Sequence, residues 1–136
     1  HLYPATLPAL KALRKRGYRL GLISDCTYLW RPVLRAMRLE DKFDAITLSC
    51  EVGTTKPDPL MYLRTCEALG VGPEACVFVG DGGSDELQGA RALNITAILI
   101  DQQWGVSHGG EYPECDYVIH NLYELLDLLP PRAAQG

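Results

Sequence analysis

Short aliphatic runs alternate with helical patterns along this chain. The runs cover residues 19–24, 44–49, 75–80, 95–100 and 116–119, and apolar residues recur at helical spacing over 5–16, 31–37, 59–69, 84–93 and 121–129. Strands and helices that alternate with short connections form βαβ units and a parallel sheet covered by helices. We therefore expect an α/β fold, a Rossmann-like parallel sheet sandwiched by helices. The helix punctuation agrees. Gly17, Gly70 and Asn94 stand where a left-handed residue ends a helix, and Pro59 stands where proline opens one. The expected division is a core over residues 1–129 and a disordered tail, 130–136.

Composition narrows the function. A length of 136 residues with 47% apolar content suits one domain with a real core. A net charge of −4 argues against a broad nucleic-acid surface. No apolar run is long enough to span a membrane, and we find no signal peptide. Cys26, Cys50, Cys66, Cys76 and Cys115 are odd in number, spread out, and include no Cys-x-x-Cys. That pattern suits reduced thiols in a cytoplasm better than a disulfide framework or a zinc cluster.

In parallel sheets of this kind ligands bind outside the carboxyl ends of the strands. The rule gathers several separated residues on one rim. Ser24 and Asp25 end the first aliphatic run, and Lys56-Pro57 lies in the loop expected over Cys50–Asp58. Asp81 ends the run Val77–Gly80. Ser84 is placed to cap the next helix, with Asp85 in its first turn. Asp81 and Asp85 held close together repel each other, and a hard divalent cation, most simply Mg²⁺, relieves the repulsion. Alternatively, Asp85 only favours the helix N-terminus. A hydroxyl and backbone N–H groups at Ser24, an ammonium at Lys56 and a metal at Asp81 and Asp85 together describe a clamp for a phosphoryl group. Such a group needs positioning and charge neutralisation more than covalent chemistry from the protein.

These residues carry a family resemblance. Leu20-Gly-Leu-Ile-Ser24, Lys56-Pro57-Asp58-Pro59 and Gly80-Asp81-x-x-x-Asp85 resemble, in order and spacing, the second, third and fourth motifs of the haloacid dehalogenase superfamily of phosphohydrolases. Tyr3-Pro4, the leucine-rich helix and Gly17-Tyr18 resemble the segment that enters the core in its phosphoglycolate-phosphatase-like branch. The resemblance implies phosphate binding by Ser24, Asp25 and Lys56, catalytic roles for Lys56 and Ser24, and Mg²⁺ held by Asp81 and Asp85. It also implies a small phosphorylated metabolite as substrate, hydrolysed through an aspartyl-phosphate.

The family's first motif, Asp-x-Asp-x-Thr, does not occur in this sequence. Asp25-Cys26-Thr27 lacks the second Asp and occupies the second-motif position. The resemblance thus implies the C-terminal part of such an enzyme, lacking nucleophile, cap and the central first strand of the sheet. Expected consequences are no turnover by the chain alone, and self-association or pairing with the missing N-terminal segment. A noncatalytic binding module is the alternative. A receiver-type phospho-acceptor domain has its acidic pair first and Lys-Pro last, the reverse of the order here. Gly80-Asp81-Gly82-Gly83 matches the dinucleotide-binding fingerprint poorly. The loop with Trp104, Ser107 and His108 is expected near the entrance.

Overall fold

The computed structural model describes residues 6–26, 29–101 and 114–131. Tyr3-Pro4, Thr27, the loop residues Trp104, Ser107 and His108, and the tail beyond residue 131 lie outside the described residues.

The described chain is α/β, as its alternation requires. In order it comprises α1 (Thr6–Lys15), β1 (Gly21–Ser24), α2 (Trp30–Ala36), β2 (Ala45–Leu48), α3 (Ser49–Val52), α4 (Pro59–Leu69), β3 (Val77–Gly80), α5 (Glu86–Ala92), β4 (Thr96–Ile100), β5 (Tyr117–Ile119) and α6 (Leu125–Leu128). Helix ends follow the local chemistry. Asp58 caps α4 by accepting the Leu60 N–H at 2.9 Å, with Pro59 at the first helical position. Gly17, Gly70 and Asn94 all take the left-handed conformation expected of them, with φ of 97°, 72° and 65°. The expected final helix is split. Asn121 and Glu124 form a capping box around a 3₁₀ turn, and only Leu125–Leu128 is α-helical.

Every strand pair is parallel. The parallel strands form two ladders, β1-β2 and β3-β4-β5, with none between β1 and β3. Packing nevertheless joins them. Side chains alternate across a strand, so Ala97 and Leu99 of β4 face one way and Ile98 the other. On the first side Tyr62 and Cys66 of α4, and Leu87 and Ala90 of α5, cover Ala97 and Leu99, and Ile23 of β1 and Phe78 of β3 join the same cluster. On the second side Leu13 of α1 and Leu125 of α6 cover Ile98 and Ile119, with Leu20 and Val79 beside them. Helical layers therefore bridge the interval between the sheets on both faces. The strands nearest it are the more open ones: each residue of β4 from Ala97 to Leu99 is buried, whereas none of β1 or β3 is.

Two local expectations are corrected. The loop expected from Cys50 opens with the helical turn α3, closed by Gly53 at φ 93°. The helix expected from Ser84 begins at Glu86, after a 3₁₀ turn over Gly83–Asp85. Asp85 interrupts the helical run with a left-handed φ of 54°, so it precedes the helix and does not lie in its first turn.

Candidate active site

Three stretches distant in sequence meet at the carboxyl ends of β1 and β3. Ser24, half-buried, closes β1 and exposed Asp25 follows. The Asp25 carboxylate accepts the Lys56 backbone N–H at 3.0 Å, which fastens the Lys-Pro loop to the β1 rim. The Lys56 side chain then turns inward. Its Nζ donates to Glu86 Oε2 at 2.7 Å, with the two side chains 13% and 7% exposed. The same ammonium stands 5.7 Å from the centroid of the Phe78 ring, within cation–π range.

Glu86 is held from every side. Its Oε1 accepts the Gly82 N–H at 3.2 Å, and the Tyr62 hydroxyl donates to its backbone carbonyl at 2.7 Å. A side chain at Gly80 would run into the Glu86 carboxylate, so glycine at the end of β3 makes room for it. Gly89, one turn on, lets α5 approach the loop: an added Cβ would lie 2.7 Å from Pro57 Cβ and 2.9 Å from the Tyr62 hydroxyl. Burial pushes the Glu86 carboxyl above the usual carboxylate range, and the Lys56 contact and the Gly82 N–H oppose that push. Burial first, then the negative charges of Glu86 and Asp25, push the Tyr62 phenol up as well.

Asp81 follows β3 and is exposed; its Oδ1 accepts the Gly83 N–H at 3.0 Å in an Asx turn. Asp85 is exposed too, and its carboxylate makes no hydrogen bond or ion pair among the described residues. The structure thus brings Asp25, Lys56 and the Asp81–Gly82 turn together, with Ser24 beside Asp25. The acid that meets Lys56 is Glu86, which the sequence reading passed over. A signal for it existed: Glu86 lies four residues before buried Ala90, on the same helical stripe. A carboxylate on a stripe otherwise apolar needs a buried partner.

The fit to Mg²⁺ is a sparse one. No group of three or more His, Cys, Asp or Glu side chains that could hold a metal forms among the described residues. Mg²⁺ keeps several waters and takes one or two protein carboxylates. Asp81, with one oxygen in the Asx turn, and exposed Asp85 suit that demand. Glu86, already shared between an ammonium and a backbone N–H, does not.

Comparison with known proteins follows the same lines. The family model for haloacid dehalogenase-like hydrolases matches residues 1–94. A phosphatase of Mycobacterium tuberculosis is 36% identical over 102 residues, 74% of this chain and 46% of that protein. A phosphoglycolate phosphatase of Nitrosospira multiformis is 32% identical over 130 residues, 93% of this chain and 56% of that protein. The crystal structure of a haloacid dehalogenase phosphatase from Thermococcus onnurineus superposes with a TM-score of 0.86 at 36% identity, covering 96% of this chain and 59% of that one. The chain spans about half the length of the curated relatives it matches.

Proposed function

The chain belongs to the haloacid dehalogenase-like hydrolases, and on that premise we propose that it supplies the phosphate- and metal-binding part of a phosphomonoesterase site. The observation that carries the proposal is the pair of contacts made by one residue: Lys56 N–H to Asp25 at 3.0 Å and Lys56 Nζ to Glu86 at 2.7 Å. They support a reading in which the ammonium, the Ser24 hydroxyl and the Asp81 turn serve a common region. The relatives named phosphatase and phosphoglycolate phosphatase support a small phosphorylated metabolite as substrate.

Each residue then has a task. Ser24 donates its hydroxyl to a phosphoryl oxygen and Asp25 holds the Lys-Pro loop in reach. Lys56 places positive charge against the phosphoryl group. Glu86 is a positioning residue that fixes the direction of the Lys56 side chain. Asp81 and Asp85 hold Mg²⁺, which supplies charge neutralisation at the phosphoryl oxygens when bound. The reaction served is attack by an aspartate and hydrolysis of the aspartyl-phosphate. With no Asp-x-Asp-x-Thr in the sequence, these residues bind and orient but do not attack. That same lack favours the second reading, a noncatalytic phosphate-binding module. The edges of β1 and β3 that lack a ladder suit a further strand, in a second copy or an N-terminal segment. No helix among the described residues is long and apolar enough to cross a membrane, and the cysteine pattern suits a reducing cytoplasm.

Titration calorimetry with orthophosphate and Mg²⁺ tests the proposal. Binding is expected, weakened severalfold or more by Ser24→Ala and Lys56→Ala in the phosphate arm and by Asp81→Asn in the metal arm. Curves identical to those of the unsubstituted chain in all three variants would refute it. A p-nitrophenyl phosphate assay separates the readings further: turnover abolished by a single Asp→Asn change would reveal an attacking group within this chain.

A further inference from the structure

Two thiols stand at the edge of this site. β1 and β2 run parallel with Ser24 opposite Leu48. Two residues beyond those partners lie Cys26 and Cys50. Ser49 clamps the two chain segments together: its Oγ accepts the Cys26 N–H at 2.8 Å and donates to the Cys26 carbonyl at 3.0 Å. Burial pushes the Cys26 thiol up, the Ser24 hydroxyl opposes that push and the Cys50 thiol adds to it. Cys50 follows Ser49 directly, in the first turn of α3, so the clamp that holds Ser49 to the Cys26 backbone sets the two cysteines beside each other. Cys50 is exposed and Cys26 half-buried, so one thiol meets solvent and the other stands behind it.

We propose that Cys26 and Cys50 are a modification site, converted reversibly to a disulfide by a low-molecular-weight disulfide. The exposed Cys50 thiolate attacks one sulfur of the small disulfide, breaks its S–S bond and expels one small thiolate. The Cys26 thiolate then attacks the Cys50 sulfur of the mixed disulfide, forms the Cys26–Cys50 bond and expels the second small thiolate. The protein loses two electrons, the small disulfide gains them, and the two protein thiol protons end on the two small thiols. The exposed partner starts the exchange because the oxidant reaches it first. Closing the bond shifts the Cys26 sulfur relative to the Ser24 hydroxyl and ties together the segments that follow β1 and β2.

A second pair serves as the internal control. The sulfurs of Cys66 and Cys76 lie 3.7 Å apart. Cys66 lies on α4 and Cys76 directly precedes β3; Cys66 is buried, and burial pushes the Cys76 thiol up to about 12. Neither is open to an attacking reagent in the way Cys50 is.

The test treats the full 136-residue chain with oxidised glutathione, alkylates remaining thiols, and maps peptides by mass spectrometry. The expected product is one peptide pair joined through Cys26 and Cys50, released by dithiothreitol. Cys26→Ser is expected to stop at a glutathione adduct on Cys50, and Cys50→Ser to give neither product. Complete alkylation of both thiols after treatment, or a disulfide only between Cys66 and Cys76, would overturn the proposal. A consequence for phosphate rests on the role proposed above for Ser24: the oxidised chain is expected to bind orthophosphate several times more weakly. A mapped Cys26–Cys50 bond with unchanged orthophosphate affinity refutes that consequence. A missing bond in a chain that binds orthophosphate refutes the modification site and leaves the phosphate reading intact.

Discussion

Replacing Lys56 by Met removes the ammonium from the Glu86 carboxylate while keeping much of the aliphatic stem. Both side chains are nearly buried, 13% and 7% exposed, so the loss is that of one partner from a buried pair, at most about 3–5 kcal/mol. Glu86 has an escape, because it can take a proton. Protonating it costs about 1.4 kcal/mol for each pH unit above an unfolded value near 4.3. The expected destabilisation is therefore about 1 kcal/mol near pH 5 and about 4 kcal/mol near pH 7.

The direction follows from the folded state. Burial already raises the Glu86 carboxyl, and Lys56 is the strongest influence holding it down. A carboxyl raised on folding contributes stability that is whole below its unfolded value and is lost as pH rises through its folded value. Without Lys56 the folded value moves further up and the loss grows. Urea unfolding between about pH 5 and pH 8 measures it, as a midpoint that falls with pH more steeply in Lys56→Met than in the unsubstituted chain. The double variant Lys56→Met with Glu86→Gln is expected to lose that extra slope. Equal pH dependence in all three proteins would show that the ion pair does not govern this site.

Two further outcomes are expected. Gly89→Ala should cost about 1–3 kcal/mol in urea unfolding, since its methyl would meet Pro57 and Tyr62; an unchanged midpoint would mean that α5 does not press on the Lys-Pro loop. Sedimentation velocity of the chain should show association that grows with concentration, because among the described residues β1 and β3 each have a partner on one side only; a single monomer peak at every concentration would count against strand pairing between copies.

Much of this fold was legible because its signals are local. Aliphatic runs and helical stripes place the strands and helices within a few residues, and Gly17, Gly70 and Asn94 stop helices for backbone reasons that no tertiary contact alters. The strand-end rule likewise brings Ser24, Asp25, Lys56 and Asp81 to one rim, since parallel strands deliver their carboxyl ends to the same side.

The partner of Lys56 was not legible. Asp85 and Glu86 are adjacent acids, and local chemistry offers no choice between them. The choice is made by a left-handed φ at Asp85, which leaves that residue in solvent and turns Glu86 inward onto Lys56. It depends on an ion pair between residues thirty positions apart, on the room left by Gly80 and on the Tyr62 hydroxyl. The approach of Cys26 to Cys50 is of the same kind. The amino-acid order determined which chemistry stands at the ends of the strands; three-dimensional packing decided which groups touch, because contact energy depends on distances in space that local sequence patterns do not record.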